Sequence, residues 1–130
     1  MPLARISIPA HLRPERIRAL ADAVHEGLVE TCGVPVNDRF QLVSAYPPEM
    51  MLIDPTFPDL ARTPEASIVE ILFLKGRTTS QKRDLFRLIT ERAVAAGFSA
   101  DDILIALVEN APEDWSLGRG LAFGDDHRHL

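Results

Sequence analysis

Two stretches of this chain carry the same order of patterns, and that repeat constrains the fold more than any other feature. In the first, a strand-like run over residues 3–8 leads to an apolar-periodic helix over about 14–31, a Gly-Val-Pro turn at 33–35 and a second strand over 39–45. In the second, the run Ile68-Val69-Glu70-Ile71-Leu72-Phe73-Leu74 leads to a helix over about 79–96, then Gly97, then the strand Ile103–Val108. Ile6 and Ile71, Leu20 and Leu85, and Val24 and Ile89 each stand 65 positions apart, while Gly33 matches Gly97 and Asp38 matches Asp102 within one residue of that spacing. Self-similarity at a fixed spacing marks a duplicated structural unit. Each unit reads as β-α-β, so the chain is expected to be α+β in two layers, with helices on one face of a four-stranded mixed sheet. One domain spans 1–130: a first β-α-β over about 2–45, a crossover over 46–67, a second β-α-β over about 68–110 and a C-terminal segment over 111–130.

Local signals agree with these elements. Ile17, Leu20, Ala21, Val24 and Leu28 recur at helical spacing, as do Leu85, Leu88, Ile89 and Ala93, and Pro14 sits where a first-turn proline is tolerated. Thr78 and Gln81 have capping-box spacing. The crossover holds five of the ten prolines, which excludes a regular central strand there. Met50-Met51-Leu52-Ile53 within it is read as a short edge strand or a flap over a pocket. The strands at 68–74 and 103–108 are apolar on both alternating faces apart from Glu70, yet two helices cover only one face. The uncovered face calls for other copies of the chain, so a homo-oligomer is expected.

Composition narrows the function classes. A net charge of −5 argues against a nucleic-acid surface, which needs clustered Lys and Arg. No run of apolar residues is long enough for a membrane helix and no secretory signal pattern opens the chain, so the expected location is cytoplasmic, with no membrane partner. The single cysteine, Cys32, falls late in the first helix and reads as a buried, inert thiol. His11 and His25 lack partners at metal or triad spacing and read as surface or helix residues. His127 and His129 with Asp125 and Asp126 form a polar tail that is assigned no metal. No phosphate-cradling glycine loop, nucleophile elbow or cysteine cluster is present, and no cofactor is inferred.

Pro2 follows Met1 directly and opens the first strand. A small second residue invites removal of the methionine, leaving a proline whose nitrogen is a secondary amine able to act as base, acid or nucleophile. This proline, the duplicated β-α-β pattern, the segment Leu74-Lys75-Gly76-Arg77-Thr78-Thr79-Ser80-Gln81-Lys82, and the ending Val108-Glu109-Asn110 with Asp114-Trp115-Ser116-Leu117-Gly118-Arg119-Gly120 resemble the tautomerase superfamily, and within it the malonate semialdehyde decarboxylase group. The resemblance implies a β-α-β fold assembling as homotrimers, with the proline at the floor of a small pocket. It implies Pro2 as catalytic amine, Asp38 as its acidic partner, Lys75 and Arg77 as cations for a substrate carboxylate, and Trp115 and Leu117 as an apolar wall. Arg119, between two glycines, is a candidate to close the pocket of a neighbouring subunit. Lys75 stands where the group has arginine and Leu117 where it has phenylalanine; lysine offers a point charge instead of a bidentate fork.

The expected substrate is a small oxo acid. The expected activity is decarboxylation or enol–keto tautomerisation without a cofactor, with hydration as a side reaction if Asp38 activates water. Each residue also has a structural reading: Lys75 and Arg77 as a solvated turn, Asp38 as a turn before a strand, Trp115 as a core or interface aromatic. The alternative from another class is a non-catalytic oligomeric module that binds a small ligand between subunits.

Overall fold

The computed structural model describes residues 1–125. Four strands, β1 (Pro2–Pro9), β2 (Gln41–Tyr46), β3 (Ser67–Leu74) and β4 (Ile103–Asn110), form one sheet in the order β2-β1-β3-β4. β1 runs parallel to β2, β3 runs parallel to β4, and β1 and β3 pair antiparallel at the centre. Two helices, α1 (Pro14–Cys32) and α2 (Thr79–Ala95), lie side by side on one face. This is the duplicated two-layer α+β architecture with a mixed sheet. Among the described residues no helix is long and apolar enough to cross a membrane.

The repeat is visible in the register. Pro2 stands opposite Phe73 and Ser7 opposite Ile68, so the central pairing is symmetric about a pseudo-two-fold axis between β1 and β3. On the helix side β1 presents Ala4, Ile6 and Ile8, and β3 presents Val69, Ile71 and Phe73, all buried. Leu20, Val24 and Leu28 of α1 and Leu85, Ile89 and Ala93 of α2 close over them. Each large apolar side chain removed from water in this layer contributes about 1.5–3 kcal/mol.

The helices approach most closely at Gly27. A Cβ there would lie 2.8 Å from Ile89 Cγ1 and 3.2 Å from Leu85 Cδ1, so only glycine lets the two meet at this distance. On the outer side Arg92 of α2 reaches back to α1, 2.6 Å from Glu26 and 2.8 Å from Glu30. α1 starts with Pro14 in its first turn and stops at Gly33, whose φ of 69° places it in the left-handed region. α2 begins with the expected capping box: Gln81 N donates to Thr78 Oγ1 at 3.1 Å and Thr78 N donates to Gln81 Oε1 at 2.9 Å.

Two local expectations are corrected and a third is made more specific. Residues Met50–Ile53 form no edge strand: Pro48–Met50 is a single-turn 3-10 helix, and the prolines around it remove the donors a ladder needs. β2 starts at Gln41 and not at residue 39, because the turn before it is held by side-chain bonds to α1. His25 is on a helix as read but is buried, with Nε2 donating to the Val36 carbonyl at 2.8 Å. Cys32 is buried, as read. Of the tail singled out above, all but Asp125 lies outside the described residues.

The face of the sheet away from the helices is apolar and open. Leu42, Leu104 and Val108 are 54%, 38% and 43% exposed on it. Leu3, Ile68 and Leu72 are half-buried beside them, and the Arg5–Glu70 pair, 3.8 Å apart, crosses the middle. Gly27→Val is expected to lower the stability of the fold by about 2 kcal/mol in urea unfolding, because the added methyls strike the buried Ile89 and Leu85; an unchanged midpoint would show that the helices can separate freely.

Candidate active site

The start of β1, the ends of β3 and β4, and the turn before β2 meet at one end of the sheet. Register explains the convergence. Ala4 pairs with Gln41 in parallel, and Ala4 N donates to the Phe40 carbonyl at 3.0 Å, so following both chains backwards brings Asp38 alongside Met1. Pro2 pairs with Phe73, so the Leu74–Arg77 segment runs past the same point from the other side. Leu74 pairs with Asn110, and Lys75 N donates to the Asn110 carbonyl at 2.8 Å, which adds the end of β4.

Pro2 is buried at the first position of its strand, where its missing N–H costs no ladder bond. With Met1 attached its nitrogen is an amide, and the chain's amine belongs to Met1, 3.6 Å from Asp38 Oδ2. The other Asp38 oxygen, Oδ1, is buried and has no hydrogen-bond partner among the described residues. A buried carboxylate oxygen normally finds a donor, so this one is an acceptor available to a substrate or a water.

Asp38 is held by α1. His25 donates to the Val36 carbonyl, Arg39 Nη2 donates to Asp22 at 2.8 Å, and Gln41 Nε2 donates to the Ala21 carbonyl at 2.8 Å. The turn is completed by Asp38 N donating to the Pro35 carbonyl at 2.9 Å. The hydrogen bond from Arg39, opposed in part by burial and supported by Arg18, holds the Asp22 carboxyl below its ordinary range.

Arg77 lies over the Phe73 ring, 5.5 Å from its centroid, which places the guanidinium above the residue opposite Pro2. Nη1 donates to the Leu74 carbonyl at 3.3 Å and Nη2 to the Cys32 carbonyl at 3.2 Å, and the remaining donors of its fork are left for a ligand. Lys75 is exposed beside it. Trp115 is half-buried and donates from Nε1 to Asn110 Oδ1, which ties the C-terminal segment to the end of β4. The structure thus brings Pro2, Asp38, Lys75, Arg77 and Trp115 to one end of the sheet. Leu117 is 44% exposed, and Arg119 occupies a tight turn at φ 61°, bridged by Gly118 and Leu121. Both stand on the loop that continues from Trp115.

Sequence reasoning missed the residues that hold this arrangement. Asn110 is the last residue of its strand and stands in the ending that carries the family resemblance, but it was assigned no role. His25 carried a usable signal, since a histidine among Ala23, Val24, Gly27 and Leu28 falls on the buried side of its helix.

Comparison with known proteins places this geometry in a family. A family model described as tautomerase enzyme matches residues 38–118, and a second with the same description matches residues 2–60. The chain belongs to the tautomerase family. Among its relatives, probable tautomerase YusQ of Bacillus subtilis (strain 168) is 33% identical over 127 residues, covering 94% of this chain and 97% of that protein. Probable tautomerase YrdN of the same organism is 32% identical over 123 residues, covering 94% and 95%. Among solved structures, FG41 malonate semialdehyde decarboxylase inhibited by 3-bromopropiolate is 38% identical, with a TM-score of 0.86 over 92% of this chain and 91% of that one. A fused 4-OT symmetric trimer, 19% identical, shares the tautomerase fold with a TM-score of 0.79.

Two stability outcomes follow for this tautomerase. Arg77→Gln should lower the unfolding free energy by about 1 kcal/mol through loss of its bonds to the Leu74 and Cys32 carbonyls, whereas Lys75→Gln should leave it unchanged. Asp22→Asn should cost about 0.5 kcal/mol at neutral pH. A carboxyl held low when folded stabilises above its unfolded pKa, so that difference should persist through mild acid and vanish as pH falls through the lowered folded-state value. Urea titrations across an acid series read both.

Proposed function

We propose that this tautomerase decarboxylates a small β-oxo acid through Pro2 once Met1 has been removed. The observation that carries the reading is the position of the chain's amine end, beside the Asp38 carboxylate and next to the Arg77-capped end of β3. Its 38% identity to FG41 malonate semialdehyde decarboxylase over nearly the whole fold supports it. A further solved relative, 33% identical with a TM-score of 0.85, is a malonate semialdehyde decarboxylase described for decarboxylase and hydratase activities.

Loss of Met1 makes the Pro2 nitrogen a secondary amine at the buried start of β1. In its protonated form it donates a hydrogen bond to the carbonyl oxygen of 3-oxopropanoate, drawing charge toward that oxygen. Arg77 and Lys75 hold the carboxylate, and Trp115 and Leu117 supply an apolar wall that favours its departure as neutral CO2. The C–C bond breaks, its electron pair passes into the enolate, and a proton taken up at carbon completes acetaldehyde. Asp38 keeps the amine oriented and its Oδ1 accepts from a water, which accounts for hydratase activity toward unsaturated acids as a side reaction. With the proline neutral, the same parts move a proton between oxygen and carbon, which is the tautomerase reaction named for the Bacillus relatives.

The assembly proposed is a homotrimer, in which the apolar faces of three sheets turn toward one another. The exposed Leu42, Leu104 and Val108 support it, as does the trimer named for the fused 4-OT of the same fold. Proton NMR of 3-oxopropanoate, with protein whose intact mass shows loss of Met1, tests the reaction. Acetaldehyde is expected from wild type and at least about a hundredfold more slowly from Pro2→Ala. Equal rates would remove Pro2 from the chemistry, and turnover of enol acids alone would favour the tautomerase reaction.

A further inference from the structure

The pseudo-two-fold axis between β1 and β3 implies a second place built like the first, at the opposite end of the sheet. There the end of β1, the end of β2 and the start of β3 meet, and they enclose a cavity of about 330 Å3 lined in part by Pro9, Tyr46, Pro48, Met51, Ile53 and Arg62. That volume falls within the range of about 300–1,000 Å3 that small-molecule sites occupy.

The correspondence extends into the segments that follow the strands. Tyr46 ends β2 opposite Pro9 as Asn110 ends β4 opposite Leu74. The 3-10 turns Pro48–Met50 and Pro112–Asp114 come next in each half, 64 positions apart. At the same spacing Met51 answers to Trp115 and Ile53 to Leu117. The crossover is therefore the first half's version of the C-terminal segment, and its apolar wall is retained.

The reactive groups are absent from this copy. Ser67 takes the place of Pro2, and Ala10 and Leu12 take those of Lys75 and Arg77, each 65 positions away. Asp102, which answers to Asp38, is buried and accepts from Thr63 N at 2.8 Å and from Thr63 Oγ1, so its carboxylate is committed to the fold. A cation enters from the crossover itself: Arg62. Its Nη1 donates to the carbonyls of Asp54 and Phe57; it makes no direct salt bridge among the described residues, and the Asp54 carboxylate, held low chiefly by the backbone N–H groups of Phe57 and Thr56, also feels its charge.

We propose that this cavity is a non-catalytic binding site for a small monocarboxylate with an apolar body, the carboxylate meeting Arg62 and the body lying against Tyr46, Met51 and Ile53. Arg62 is fixed by backbone carbonyls, so little of its freedom is lost when a carboxylate binds to the rest of its fork. The site stands apart from Pro2 in space and in chemistry, and its occupation does not depend on the reaction proposed above.

Titration of phenylacetate into the isotope-labelled full chain in its native assembly tests the proposal. Amide shifts are expected at Tyr46, Ile53 and Thr63, saturating together. Arg62→Gln should weaken that response about tenfold, and phenylacetamide, which has the same body without the charge, should be weaker by a similar factor. Shifts confined to Lys75, Arg77 and Trp115 would overturn the proposal, as would silence at the cavity because a neighbouring copy covers it, or an affinity indifferent to the charge on the ligand. If Arg62→Gln does not fold, the comparison of acid and amide on the wild-type chain decides. Shifts at the two ends of the sheet are read separately, so failure here leaves the Pro2 reading untouched.

Discussion

Antiparallel pairing of β1 with β3 is the constraint from which the other features of this molecule descend. It joins two β-α-β units that each have only one helix to cover a pair of strands, and it does so in a register that makes the halves nearly interchangeable. Both helices then fall on the same face, and their apolar stripes share one core. The start of β1 is carried to the end of β3, which is how a residue at the amine end of the chain comes to lie beside Phe73 and Arg77, more than seventy positions later. A slip of one residue in this pairing would turn the buried set of one strand outward, either Ile6 and Ile8 or Val69 and Ile71, so burial and site geometry are specified by the same register.

The repeat made most of this legible from the sequence. Strands and helices followed from short apolar runs and helical spacing because both halves obeyed the same pattern, and the capping box and Pro14 marked helix starts by local chemistry that tertiary context did not override. Asp38, Lys75 and Arg77 were legible as candidates through likeness to a family, and their meeting at one end of the sheet follows from register, which no local window contains. What escaped was of two kinds. Of the two readings of Met50–Ile53, the edge strand fails, because the prolines that forbid a ladder there act on backbone donors, not on hydropathy. His25 and Asn110 were passed over because their roles lie in bonds to a distant backbone carbonyl and to the Trp115 indole, formed only once the strands are in place.

The two ends of the sheet show how one architecture supports different polar chemistry. At one end Asp38 is fixed by the bonds of its turn to α1 and keeps a carboxylate oxygen unengaged. At the other, the matching Asp102 is saturated by Thr63 and serves only to fasten the crossover to the start of β4. The backbone frame is nearly the same, and the difference lies in whether a neighbouring threonine reaches the acid.

The contact between α1 and α2 is divided in a comparable way. Its inner half is the close approach at Gly27, held by dispersion and exclusion of water, and its outer half is the Arg92 clamp on Glu26 and Glu30, where the hydrogen bond that Arg92 donates to Glu26 raises the affinity of the guanidinium for its proton. Dissolved ions screen charges at the surface and leave buried hydrocarbon alone. Ionic strength therefore acts on one side of this interface and cooling on the other, so a chain living in brine and a chain living in the cold would each find a different half of the same helix pair the weaker one.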